Sequence, residues 1–181
     1  MRIIDIFDAV REGSYEGFLS FFDKNNVNMY SKSLDLTLLG MSVANCKSPE
    51  GKLRIIKTLL ANNADVNVTT RKEGRNPLHL LYFCNWRPDT NYMLEASALL
   101  VQAGVDVNHK DKYGAIPLKY VITLNKFPTE EIQPLLKYLL KVKSDYNHKD
   151  NFGKSCLDYA REYSWRNGFI DIVKEFEDEN K

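Results

Sequence analysis

Apolar residues recur at helical spacing along this chain, in short blocks separated by polar segments. Leu53, Ile56, Leu59 and Leu60 fall at i, i+3, i+6 and i+7, a stripe down one side of a helix that no single helix can bury alone. Helix starts are legible too. Thr37, Asn76 and Ser155 are residues whose side-chain oxygen can accept from a free backbone N–H at a helix N-terminus, and Pro77 and Pro117 suit the first helical position, where the missing N–H costs nothing. Ile116 occupies the equivalent place without a capping oxygen. Gly74, Gly114 and Gly153 precede three of these starts and predict tight turns with positive φ, so hairpins are expected over Val68–Arg75, His109–Ala115 and His148–Lys154. In the second unit Leu34 or Asp35 stands where the glycine would be, which leaves that hairpin the weakest of the set.

The blocks keep phase. Aligned on one Asn, Asn25-Asn26-Val27-Asn28, Ala64-Asp65-Val66-Asn67, Val105-Asp106-Val107-Asn108 and Ser144-Asp145-Tyr146-Asn147 are spaced by 39, 41 and 39 residues. A second landmark, Thr37-Leu38-Leu39-Gly40, Asn76-Pro77-Leu78-His79, Ile116-Pro117-Leu118-Lys119 and Ser155-Cys156-Leu157-Asp158, repeats at 39, 40 and 39. Two independent markers holding one period identify an internal repeat.

These residues resemble the ankyrin repeat, a turn plus two antiparallel helices marked by T-P-L-H and by a second helix ending in G-A-D-V-N. Asn76-Pro77-Leu78-His79 carries the first mark and the run from Lys52 to Asn67 carries the second. Ile3 to Phe22, with Gly13 between two amphipathic stretches, looks like a degenerate first unit. The resemblance implies an all-α solenoid of stacked helix-turn-helix units joined by hairpin-like turns. The resemblance implies a single domain over 1–181, with units at about 1–28, 29–67, 68–108, 109–147 and 148–181. It also implies that His79 hydrogen-bonds between hairpins, with His109 and His148 in a shared structural position. Departures lie between the two helices of each unit: Thr37 to Asn67 spans 31 residues, Asn76 to Asn108 spans 33 and Ile116 to Asn147 spans 32. The family's stretch is about 26, so five to seven residues are inserted. Pro49, Pro88 and Pro128 recur in these insertions, as do Trp86 and Trp165. They read either as punctuation at the start of the second helix or as a row of aromatic-bearing binding loops.

Composition narrows the function. Lys plus Arg is 25 and Asp plus Glu 24, a formal charge of +1, too balanced for a protein devoted to a phosphate backbone. A hydrophobic fraction of 44% supports a real core. Charge-free stretches such as Ala96 to Val105 and Asn76 to Trp86 are about half the ~20 apolar residues of a membrane helix. Asp5 and Asp8 sit where a signal peptide would be apolar, and Cys46, Cys84 and Cys156 are odd in number and lack metal-ligand spacing, so a reducing, cytoplasmic setting is expected. No phosphate loop, HExxH, paired CxxC or GxSxG is present, and Glu130-Glu131 reads as first-turn charge meeting a helix dipole. The run Glu175 to Lys181 reads as a solvated polar tail. Neither an enzyme nor a cofactor is expected.

A surface remains. The three glycine-bearing hairpins sum to +4 and the rest of the chain to −3. A mildly basic ridge is expected along the hairpin edge, formed by Arg71, Lys72, Glu73, Arg75, Lys110, Lys112, Lys149, Asn151 and Lys154, with Tyr113 and Phe152 as apolar anchors and Trp86 and Trp165 alongside. The expected partner is a protein with an acidic, partly apolar patch, with no nucleic acid or membrane involved and a monomer when unbound. By family analogy the sharper reading is an inhibitor or immunity protein, and the alternative is an adaptor with several weak partners.

Overall fold

The computed structural model describes residues 3–83 and 89–180. Among them the chain folds into helix pairs: α1 (Ile6–Glu12) with α2 (Tyr15–Phe21), α3 (Leu38–Val43) with α4 (Pro49–Ala61), α5 (Pro77–Tyr82) with α6 (Thr90–Gln102), α7 (Pro117–Thr123) with α8 (Thr129–Lys141), and α9 (Cys156–Glu162) with α10 (Gly168–Glu179). First helices stack on first helices, in the order α1, α3, α5, α7, α9, and second helices on second helices, α2 through α10. Each apolar stripe is buried by its neighbours in the row, so one continuous core runs from Ile6 to Val173. This is an all-α repeat fold.

The short first helices are held at their starts by the residues the sequence nominates. Thr37, Asn76 and Ser155 accept from the backbone N–H three residues on, and Ile116 makes no such bond. Pro49 opens α4, as expected of punctuation, whereas Pro128 lies one residue before α8 and Pro88 falls outside the described residues. Cys156 is buried and Cys46 half-buried; Cys84 also falls outside the described residues.

Two expectations change. The hairpin that lacked a glycine is the one with paired strands among the described residues, β1 (Tyr30–Ser31) against β2 (Leu36–Thr37). Asp35 supplies the left-handed residue, at φ 58°. In the third and fourth hairpins one backbone bond across each turn, Asp111 N to Ala115 O and Asp150 N to Lys154 O, is reinforced by a side chain: Asp111 Oδ1 accepts from Tyr113 N and Ala115 N, and Asp150 Oδ1 from Phe152 N and Lys154 N. The second change concerns α4. Its buried face is Lys52, Ile55, Ile56 and Leu59, rotated by one position from the apolar stripe, with Leu53 and Leu60 only half-buried. Lys52 is therefore a core residue. Its ammonium donates to Val10 O at 2.5 Å and Met41 O at 3.4 Å, satisfying carbonyls near the ends of α1 and α3. Burial pushes its pKa down to about 7.

Candidate interaction surface

The hairpin edge is assembled by one repeated side chain. Asn28, Asn67 and Asn108 accept through Oδ1 from the backbone N–H of Asp65, Asp106 and Asp145 in the next unit, at 2.8, 2.9 and 2.8 Å. Asn67 and Asn108 also donate to Gly104 O and Lys143 O, at 3.1 and 3.0 Å. The Asp of each D-x-N run turns the chain by accepting from the Asn N–H two residues on, at 2.9, 2.9 and 3.0 Å for Asp65, Asp106 and Asp145. The histidines are structural as well. His109 and His148 bond through Nε2 to Gly74 O and Gly114 O, at 2.9 and 2.8 Å, and His79 bridges to Ala115 O at 2.8 Å. Burial lowers the His79 pKa to about 4, so it is neutral at physiological pH. The hairpins are thus locked in register, which makes their tips a fixed array.

The predicted ridge residues divide by whether their charge is already engaged. Lys112 pairs with Glu73 at 2.6 Å across adjacent hairpins, and this contact holds the Glu73 carboxyl below its ordinary value. Lys154 pairs with Glu162 at 2.6 Å. Arg75 is half-buried; its Nε donates to Tyr120 OH at 3.0 Å and its guanidinium lies 4.0 Å from the Phe83 ring centre. Arg71 covers the Tyr30 ring at 4.6 Å. The Asn151 side chain donates to Lys112 O at 3.1 Å. Lys72, Lys110 and Lys149 are exposed and form no ion pair among the described residues. They carry the ridge's available charge. Tyr113 and Phe152 are exposed at neighbouring tips, Phe152 at 68%. Trp86 lies outside the described residues.

Trp165 belongs to a different part of the surface. Its ring stacks on Tyr163 at 4.7 Å and 12°, Tyr163 stacks on Tyr159 at 6.3 Å, and Lys126 lies 4.5 Å above the Trp165 ring. Lys119 lies between the Tyr159 and Phe152 rings, at 5.1 and 5.7 Å, and pairs with Asp150 at 3.1 Å. Phe152, Lys119, Tyr159, Tyr163, Trp165 and Lys126 thus form one connected strip, from a hairpin tip across α9 to the two inter-helix segments. Lys119, Lys126, Tyr159 and Tyr163 escaped the sequence reading because they come from two units and no local pattern joins them.

The inter-helix segments themselves do structural work. Arg166, fully buried beside Trp165, donates to Ile122 O at 3.2 Å and Asn125 O at 2.5 Å, covering carbonyls at the end of α7. Asn45 does the same for Arg11 O at 3.2 Å. Lengthened loops therefore reach back to close helix ends in the preceding unit. Among the described residues no three His, Cys, Asp or Glu side chains converge as a metal site would, and no helix is long and apolar enough to cross a membrane.

No family model matches the chain. Over 108 residues, 58% of its length, it is 31% identical to "Putative ankyrin repeat protein L91" of Acanthamoeba polyphaga mimivirus, and the match spans 16% of that protein. The likeness agrees with ankyrin-like repeats and with a protein-interaction role in general terms.

Proposed function

We propose that this chain is a non-catalytic scaffold that binds a partner protein through its hairpin tips and the concave face of its first helices. One observation carries the reading: a register-locked edge on which Lys72, Lys110 and Lys149 are exposed and form no ion pair among the described residues, with the exposed rings of Tyr113 and Phe152 on two of the same hairpins. Rigid display of aromatic and cationic side chains is how binding energy concentrates in protein interfaces, and unpaired cations steer an acidic partner toward them. The partner is a protein with an acidic, partly apolar patch, met in the cytoplasm by a monomer; the sharper form of the reading is that the chain covers and inhibits that partner.

The test reverses Lys72, Lys110 and Lys149 to Glu, leaving the Lys112–Glu73 and Lys154–Glu162 pairs intact. Folding is checked by circular dichroism and binding to the partner captured from the native host is measured by titration. Affinity is expected to fall about tenfold or more, mainly through association and most steeply at low salt. Unchanged affinity in a folded variant refutes the ridge. An inhibitor gives one saturating complex that loses the partner's activity, whereas several weak partners identify an adaptor.

A further inference from the structure

Trp165 combines two properties that rarely coincide in a residue of no consequence: an exposed ring and an immobilised backbone. Its side chain is 41% exposed. Its carbonyl accepts from Thr129 Oγ1 at 2.9 Å, and the following residue, Arg166, is fully buried with its guanidinium on Ile122 O and Asn125 O. The loop is closed against α7 and α8 by bonds within the chain itself, so its aromatic residues are ordered before binding. Large apolar surface held rigid loses little conformational entropy on association. Beside it lies one cation, Lys126, while the carboxylates along the strip, Asp150 and Glu162, are paired with Lys119 and Lys154. Lys126 forms no ion pair among the described residues; its ammonium donates to Thr123 O at 3.2 Å and rests over Trp165. Leu124, on the same segment, is also exposed. A ring face already attended by an ammonium is a poor seat for a second cation and a good one for a segment that brings carboxylates to Lys126 and an apolar side chain to the rings.

We infer that the strip Phe152–Lys119–Tyr159–Tyr163–Trp165–Lys126 seats an extended acidic peptide segment of the partner, with carboxylates on Lys126 and apolar side chains against Trp165 and Phe152. This rests on the protein-binding reading above and narrows it to one face and one chemistry. A nucleic acid strand, which would use the same rings and cations, is disfavoured because Lys119 is already neutralised by Asp150 and the chain's net charge is +1.

The experiment follows the Trp165 indole N–H signal of the full, isotope-labelled chain, assigned by its loss in W165F, while adding a synthetic peptide of alternating Asp and Leu, the same peptide with Lys for Asp, and oligothymidylate. The acidic peptide is expected to move the signal saturably, the Lys version not at all, and K126E to weaken the acidic peptide about tenfold. Because Lys126 is held only at the surface, K126E tests the strip even if W165F proves unstable. Three results overturn the inference. Shifts confined to Lys72, Lys110 and Lys149 place the peptide on the ridge and leave the scaffold reading standing. Oligothymidylate moving the Trp165 signal where the peptide does not replaces the ligand class. A captured partner held equally by wild type and K126E, with no peptide response, removes the strip but not the scaffold, whereas loss of every protein partner is the failure of the scaffold reading itself.

Discussion

The Lys52 ammonium gives the stack a measurable dependence on pH. The perturbation is Lys52→Met, which keeps an unbranched chain one atom shorter and removes the charge. Burial lowers the folded-state pKa from 10.5 to about 7, with Glu12 and Cys46 opposing that shift and Lys47 and Arg11 adding to it. Between these two values the unfolded chain binds a proton that the folded chain does not, so stability rises with pH there; below pH 7 both states are protonated and the folded state carries the full cost of the buried charge. The whole interval corresponds to ~5 kcal/mol, of which about 3 kcal/mol falls between pH 7 and about 9.5, before tyrosines titrate. The assay is the urea midpoint of wild type and K52M at intervals across that range, taking the difference so that other titrating groups cancel. Wild type is expected to climb by about 3 kcal/mol relative to K52M, with K52M the more stable protein at pH 6, since replacing a buried charge by a well-packed apolar group is commonly neutral or stabilising. Parallel curves would refute the reasoning, because they would mean that Lys52 keeps its proton in both states and that its ammonium is solvated.

Two further expectations concern the joints between units. A Cβ at Gly51 would lie 1.9 Å from Gly13 O, a backbone atom that cannot swing away, so Gly51→Ala is expected to cost about 3 kcal/mol and to expose α1 and α2 first in hydrogen exchange; a variant as stable as wild type would mean that the turn at Gly13 can move away from α4 at little cost. Asn108→Ala removes two of the bonds that tie one unit to the next, to Asp145 N and Lys143 O, and is expected to cost about 2 kcal/mol with faster exchange of the Asp145 amide; unaltered exchange there would show that the staple is not what protects it.

The repeat was readable because its signals are local. A cap such as Ser155 accepts from Asp158 N three residues away, a turn glycine such as Gly153 needs only its own φ of 74°, and the Asp106 turn closes on Asn108. Residue type and spacing within a few positions decide each of these, so period, helix starts and turn positions, and with them the repeat solenoid, follow from the chain alone. The face of α4 that is buried did not. Lys52 looks like a solvent residue until α1 and α3 are packed around it, when their carbonyls become its solvation shell, and Arg166 is concealed in the same way by the end of α7. Free and spent charge on the hairpin edge is likewise a property of neighbours: Lys112 and Lys110 are two residues apart, yet only Lys112 faces Glu73 of the previous hairpin. The aromatic strip draws Lys119 and Lys126 from one unit and Phe152 to Trp165 from the next. Sequence determined the repeating unit, because hydrogen bonds and dihedral preferences act over short spans; tertiary structure decided which charges are buried, paired or left for a partner, because those depend on groups some 40 residues away that only stacking brings within reach.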